Sequence, residues 1–240
     1  MSIRRKTGLF FLVAALSFGV AASVLSATFD WPHILREPAP TVLTRFTAGG
    51  DTLVWTWFAT GWTYALLAVP MLLLPAALRR PGLRYATLAG AASVVLSLIG
   101  FLRWVFVVPA LARSWESGSP TTRAAAEAAW TAQHQFGGAL LGEHLGQLLA
   151  IVWSVAVCVL ALRDSVLPRW IGWAGLVACA LYLLNQGDIL ATALPGFPAW
   201  DAAGLLGGTA WALWVAALGG TLLLPPRSSR VQPERAFAAA

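Results

Sequence analysis

Residues 138–147 place a carboxylate, an imidazole and a carboxamide in an otherwise apolar run, as Glu143, His144 and Gln147. Such groups are costly in hydrocarbon unless they find partners or a ligand. On an α-helix, at about 100° per residue, Glu143 and Gln147 lie some 40° apart, with His144 on their other flank. The run therefore predicts a buried polar site before it indicates any particular reaction.

Two further apolar runs carry polar residues. Arg103 is followed by nine uncharged residues before the next arginine, so it is not simply the end of a helix. A lone arginine in hydrocarbon costs a few kcal/mol on insertion scales, which predicts an acidic partner inside a helix bundle. Asn185, Asp188 and Thr192 fall within about 60° of one another on a helix and so share a face.

Counting residues from the arginine at the far end of each run places Arg103, Glu143 and Asp188 at one depth. At 1.5 Å per residue, all three lie roughly 28–30 Å from that arginine. We expect Arg103 to pair with Glu143, which leaves one surplus carboxylate to hold a proton or await a cation. The candidate ligand-binding residues are Arg103, Trp104, Glu143, His144, Gln147, Asn185 and Asp188.

Two other interpretations of these charges stay open: they could lie at the lipid headgroups, or they could only fix helix register. No catalytic residue is assigned, because nucleophile signatures and phosphate-binding loops are absent from the sequence. No metal or other cofactor is expected. His134 and His144 would lie on different faces of a helix, and a third ligand at metal spacing is missing.

The elements that position these residues are membrane spans. Hydrophobic residues make up 58% of the 240 residues, only 11% are charged, and the mean hydropathy is +0.72. This composition excludes an ordinary soluble domain and predicts an all-α, polytopic transmembrane helix bundle. Six runs are long enough to cross a hydrocarbon core: 8–27, 52–78, 86–112, 136–162, 170–193 and 202–224.

The basic residues predict the orientation. Eleven lie at one set of span ends and four at the other, so the positive-inside rule places both termini in the cytoplasm. The net charge of +6 is thus topological and does not indicate nucleic acid. We expect one domain over residues 1–224 and a flexible cytoplasmic tail over 225–240. A cleaved signal peptide ending at Ala27 is the alternative to a first span, but its apolar core would be long.

Small residues and aromatic residues predict how the bundle packs. Gly138, Gly142 and Gly146 form a bare stripe on which another helix can pack closely. Residues 28–51, interrupted by prolines, are expected to lie at the membrane surface or to fold over the helix ends. The tryptophans that open the second span fit an interfacial belt or the aromatic wall of a ligand site.

Three motifs resemble a known family. They are Asp30-Trp31-Pro32 with Ile34-Leu35-Arg36, then the run 102–109, then Gly142-Glu143-His144-Leu145-Gly146-Gln147. They resemble small bacterial multi-pass membrane proteins catalogued only as a domain of unknown function, over about residues 8–224. The resemblance implies a six-helix protein of the bacterial inner membrane, but no activity.

The leading functional hypothesis is a polar pocket in the outer half of the bilayer that binds a small amphipathic or lipid-like ligand. A non-enzymatic protein whose buried charges fix helix packing or a partner interface is the alternative. A proton-coupled transporter or an acid–base enzyme has weaker support, because no internal repeat or discontinuous helix pair is evident. The lipid bilayer is the expected partner, and nothing in the sequence indicates a homo-oligomer.

Overall fold

The computed structural model describes residues 1–164, 166–194, 196–200 and 202–225. Every regular element in these ranges is helical, as predicted. The predicted tail lies outside the described residues except for Pro225. The α-helices are α1 (Ile3–Phe29), α2 (Ala39–Ala65), α3 (Ala68–Leu78), α4 (Arg84–Phe106), α5 (Val108–Ser117), α6 (Pro120–Gln133), α7 (Gly146–Asp164), α8 (Arg169–Ala191) and α9 (Ala203–Leu223).

Within the described residues, six helical stretches are long and apolar enough to cross a membrane, so the chain is a multi-span membrane protein. Three of them combine shorter elements. We number the spans 1 to 6 in chain order: Ile3–Phe29, Ala39–Leu78, Pro81–Ser117, Pro120–Asp164, Arg169–Ala191 and Ala203–Leu223.

Span 2 begins at Ala39, well before the predicted residue 52. The segment 39–49 at the start of span 2 is an amphipathic helix, and its apolar side chains Val42, Leu43 and Phe46 are buried in the bundle. It joins the rest of α2 at Gly50, whose φ of 54° permits a bend that other residues rarely adopt. The start of the bilayer crossing and the start of the helix are therefore different positions.

Prolines interrupt two spans. The helix of span 2 is broken at Leu66 and Leu67, just before Pro70. Span 3 is broken in the same way at Val107, before Pro109. Proline lacks the amide hydrogen that would bond to the preceding turn and clashes with it, so the helix deforms there.

The six spans form a ring. Each span packs against the next one along the chain, and span 6 packs against span 1. We call the end of the ring that carries Ile3 and Leu223 proximal, and the opposite end distal. The proximal half is filled by a core in which Phe11 contacts Trp153 and Trp153 contacts Trp214.

Bare backbone makes two of the helix contacts. A Cβ atom on Gly142 would lie 3.0 Å from the Cα atom of Gly100, and one on Gly146 would lie 2.7 Å from Ser97 Oγ. These contacts confirm that the predicted glycine stripe faces another helix, here α4. The proximal parts of α1 and α9 meet equally closely, since a Cβ atom on Gly8 would lie 2.6 Å from the carbonyl oxygen of Gly219.

Candidate functional site

The loop between spans 1 and 2 folds into the distal end of the ring. Its short 3₁₀ helix, His33–Arg36, is bounded by Pro32 and Pro38. Ile34 and Leu35 are buried and pack into a distal cluster of apolar side chains. This confirms the expectation that the loop folds over the helix ends. The buried pair anchors the loop and directs the next residue, Arg36, between spans 4 and 5.

Arg36 bridges two carboxylates. Its Nη2 atom lies 2.7 Å from Glu143 Oε2 and 2.7 Å from Asp188 Oδ2, and its Nε donates to the same Asp188 oxygen at 2.9 Å. Burial alone would lower the pKa of Arg36, but the two carboxylates outweigh this effect and raise it above its ordinary value. Glu143 and Asp188 thus lie at one level, as the depth count predicted.

The predicted pair of Arg103 with Glu143 is wrong. Within the described ranges, no carboxylate lies within ion-pair distance of Arg103, and Glu143 binds Arg36 instead. The register of the glycine contact explains the difference. Gly142 lies against Gly100, whereas Arg103 lies against Gly138, about one helical turn nearer the distal end. The depth count had assumed equal starting levels for spans 3 and 4.

Arg103 is buried, with 7% of its surface exposed. Its Nη1 donates to the carbonyl oxygen of Gly100 at 2.6 Å, and its Nη2 lies 3.3 Å from Nδ1 of His134. The guanidinium also lies near the ring of Trp104, 5.2 Å from its centroid. The Nε atom is buried without a hydrogen-bond partner. Such an atom is costly to bury unless a ligand satisfies it.

Carboxamides form a second polar group one level below the ion pairs. Gln147 Oε1 accepts hydrogen bonds from Asn185 Nδ2 at 3.1 Å and from Gln186 Nε2 at 2.9 Å. The other end of Gln186 meets His144, with 2.6 Å between Oε1 and Nδ1. His144 is therefore connected to Gln147 only through Gln186.

The predicted polar face of α8 is confirmed. Asn185 binds Gln147, Asp188 binds Arg36, and the hydroxyl of Thr192 lies 3.3 Å from Gln135 Oε1. The Nε2 atom of Gln135 also donates to the carbonyl oxygen of Thr192 at 3.2 Å. Spans 4 and 5 are thus joined by polar contacts over about two helical turns, from Asn185 to Thr192.

Span 4 changes its helical form at this site. Residues His134–Leu145 form a π-helix between α6 and α7, so the helix neither stops at Gly137 nor continues as a regular α-helix. A π-helix has hydrogen bonds between residues five apart, and such segments are frequent at functional sites. Its wider turn places His134, Gly138 and Glu143 on the side that faces spans 3 and 5.

A cavity of about 1670 Å³ occupies the distal half of the ring. Its lining contains Arg36 together with six of the seven predicted site residues. The exception is His144. Tryptophans 57, 104 and 130 and Tyr64 contribute an aromatic wall. The six predicted residues in the lining are Arg103, Trp104, Glu143, Gln147, Asn185 and Asp188.

The part of the cavity wall that α1 and α9 form is largely apolar. Leu16 and Val20 of α1 and Leu205 and Leu213 of α9 line the cavity, yet each exposes more than half of its surface. These helices touch at Gly8 and Gly219, and the residues of α1 and α9 that line the cavity lie between this contact and the distal end.

Sequence reasoning missed Arg36 and His134 as site residues. The signal for Arg36 was present: the apolar pair Ile34-Leu35 in a proline-bounded loop indicates a segment that enters the bundle, and two acids need more than one cation. The contact of His134 with Arg103 depends on the π-helix, which no spacing rule reveals. Groups of three or more His, Cys, Asp or Glu side chains arranged to bind a metal ion are absent from the described residues.

A comparison with protein families supports the resemblance noted in the sequence. The profile of a family described as Domain of unknown function (DUF4386) matches residues 6–219. Neither a curated protein nor a solved structure matches the chain.

Proposed function

We propose that this chain, which belongs to the DUF4386 family, binds an amphipathic, lipid-like molecule in its distal cavity. The observation that carries the proposal is the division of the cavity wall. Charged and amide side chains lie on spans 3, 4 and 5, whereas lipid-exposed apolar side chains lie on α1 and α9. A molecule with a polar head and an apolar chain is complementary to both walls.

The size of the cavity supports a lipid-like ligand. Pockets for drug-sized molecules typically measure about 300–1,000 Å³, and this one measures about 1670 Å³. An entrance between the distal halves of α1 and α9 would let a ligand enter from the bilayer with its chain still in hydrocarbon. Such a path avoids the cost of moving an acyl chain through water.

We propose further that both termini lie in the cytoplasm of a bacterium and that the cavity lies in the outer half of its inner membrane. The excess of arginine and lysine near the proximal end supports this orientation through the positive-inside rule. In this orientation the ligand comes from the outer leaflet.

The test is ligand binding by the purified, full-length protein with its access route blocked. Gly208 lines the cavity, and a Cβ atom there meets no neighbour within 4 Å, so Gly208→Leu adds a side chain to the cavity wall at a position with room for its Cβ atom. Gly220 on the same helix is equally open but lies outside the cavity lining, which makes Gly220→Leu the matched control. Thermal shift and native mass spectrometry with lysophosphatidylethanolamine measure binding.

We expect the probe to raise the melting temperature of the wild type and of Gly220→Leu, and to raise that of Gly208→Leu much less. Native mass spectra should show more bound probe on the wild type and on Gly220→Leu than on Gly208→Leu. If all three proteins respond equally, or if none binds any amphiphile, the proposal fails. Failure of all three to bind would favour the interpretation that the buried charges only fix helix packing.

A further inference from the structure

Arg103 brings a positive charge to the cavity, and within the described residues no carboxylate is in ion-pair contact with it. Its partners are a carbonyl oxygen and an imidazole nitrogen, and its Nε atom has none. A buried guanidinium is a planar donor that suits a phosphate or a carboxylate. The cavity therefore offers a built site for an anionic group at Arg103.

The ion pairs of Arg36, one turn away, instead have an excess of negative charge. The single positive charge of Arg36 is shared by Glu143 and Asp188, which leaves one negative charge in excess among these three residues. The Oε1 atom of Glu143 is buried and accepts no hydrogen bond in the structure. A ligand that donates N–H hydrogens would satisfy this oxygen.

The two unmatched groups lie on neighbouring turns. Arg103 packs against Gly138, and Glu143 is five residues farther along the same π-helix. Because a π-helix bonds residues five apart, the backbones of Gly138 and Glu143 lie one above the other, about one turn or roughly 5 Å apart. A ligand with its two charges on a short spacer would reach both.

We infer that the ligand is a zwitterionic amphiphile, with a phosphate-like anion at Arg103 and a primary ammonium group at Glu143. The inference rests on the proposed lipid-like ligand and adds the chemistry of its headgroup. The ammonium must carry hydrogens, because a quaternary amine cannot donate to the free Glu143 oxygen. An anion without an amine would leave the excess carboxylate unmatched.

The test compares headgroups on amphiphiles that each carry one twelve-carbon chain, using the wild-type protein in detergent. The probes are lysophosphatidylethanolamine, lysophosphatidylcholine, lysophosphatidylglycerol and dodecylamine, with soluble phosphoethanolamine as the headgroup alone. Dissociation constants come from thermal-shift titrations and native mass spectrometry. We expect the ethanolamine probe to bind about tenfold or more tightly than each of the other amphiphiles, since each lacks one charge-assisted hydrogen bond.

Two variants assign the preference to residues. Arg103→Gln should remove the advantage of the ethanolamine probe over dodecylamine, and Glu143→Gln should remove its advantage over the choline and glycerol probes. Arg113→Gln and Glu116→Gln make the same changes at exposed positions outside the cavity lining and should preserve the preference.

The outcomes separate this inference from the proposed function. Equal binding of all four amphiphiles by the wild type would contradict the inferred zwitterionic headgroup but not the proposed lipid-like ligand. Loss of the preference in the two control variants, or its survival in Arg103→Gln and Glu143→Gln, also overturns it. If soluble phosphoethanolamine binds as tightly as lysophosphatidylethanolamine, the inferred headgroup site is supported, but the proposed lipid-like ligand is contradicted.

Discussion

The guanidinium of Arg36 lies 2.7 Å from Glu143 Oε2, although 107 residues separate the two along the chain. This contact ties the loop between the first two spans to the π-helix of span 4. The same guanidinium also binds Asp188 of span 5. One side chain from a loop thus determines where two carboxylates lie in the cavity wall.

Arg36→Gln should destabilise the protein, because it leaves two carboxylates close together without their cation. Removing one partner of a fully buried pair typically costs about 3–5 kcal/mol. These side chains are 17–27% exposed, so we expect a smaller loss, on the order of 2 kcal/mol. Thermal or denaturant melting in detergent measures it, and adding Asp188→Asn should recover part of the loss.

The pair of Arg45 with Asp30 is the matched control for this change. It belongs to the same distal region, but its side chains are 52% and 53% exposed and 3.4 Å apart. Arg45→Gln should leave the melting temperature almost unchanged. Equal effects of the two substitutions would contradict a structural role for Arg36.

Gly138→Ala should displace the guanidinium of Arg103, whereas Gly137→Ala should not. A Cβ atom on Gly138 would lie 2.6 Å from Nη2 and 2.7 Å from Cζ of Arg103, but one on Gly137 would keep 3.6 Å from Cδ. Both changes gain up to about 1 kcal/mol from helix propensity. The difference between their melting temperatures therefore isolates Arg103, and we expect Gly138→Ala to be the less stable protein. Identical melting would be evidence against the contact.

Gly142→Leu should separate spans 3 and 4. The Cα atom of Gly100 is backbone and cannot move aside from a new Cβ atom at 3.0 Å. Overpacking commonly costs about 1–3 kcal/mol, and we expect the upper part of this range. Gly220→Leu, which meets open space, is the control, and folded yield and melting temperature are the measurements. A Gly142→Leu protein as stable as Gly220→Leu would mean that the helices do not meet there.

A reporter fused after residue 240 should report a cytoplasmic location, as the positive-inside rule predicts. Alkaline phosphatase is inactive there, and green fluorescent protein is fluorescent. A fusion in the loop that carries Arg36 should give the opposite result. Phosphatase activity at the C terminus would refute the proposed orientation.

Composition and periodicity predicted much of the fold. Run lengths and hydropathy identified all six spans, and the four-residue glycine spacing identified the contact of span 4 with span 3. The common face of Asn185, Asp188 and Thr192 also followed from helix geometry. These features depend on local periodicity, which the sequence shows directly.

The arginine that pairs with the acids could not be predicted in the same way. Depth counting treats each span as a straight α-helix that starts at a common level. An error of one turn in the starting level changes the residue of span 4 that lies beside Arg103 from Glu143 to Gly138. The π-helix at His134–Leu145 changes which side chains face one another. Arg36 comes from a loop, where no helical period applies. Pair identities depended on register between elements, which a single sequence does not contain.

The contact of Gly8 with Gly219 also constrains when the cavity can form. These residues belong to the first and last spans, so the ring stays open while the ribosome is still making the middle of the chain. Helix α9 is synthesised last, so it adds its part of the cavity wall after α1 has already been inserted into the membrane. A protein truncated before span 6 would retain Arg36, Arg103 and Glu143 but would lack the part of the cavity wall that α9 supplies. Completion of the cavity therefore depends on the first and last spans meeting after both have been inserted.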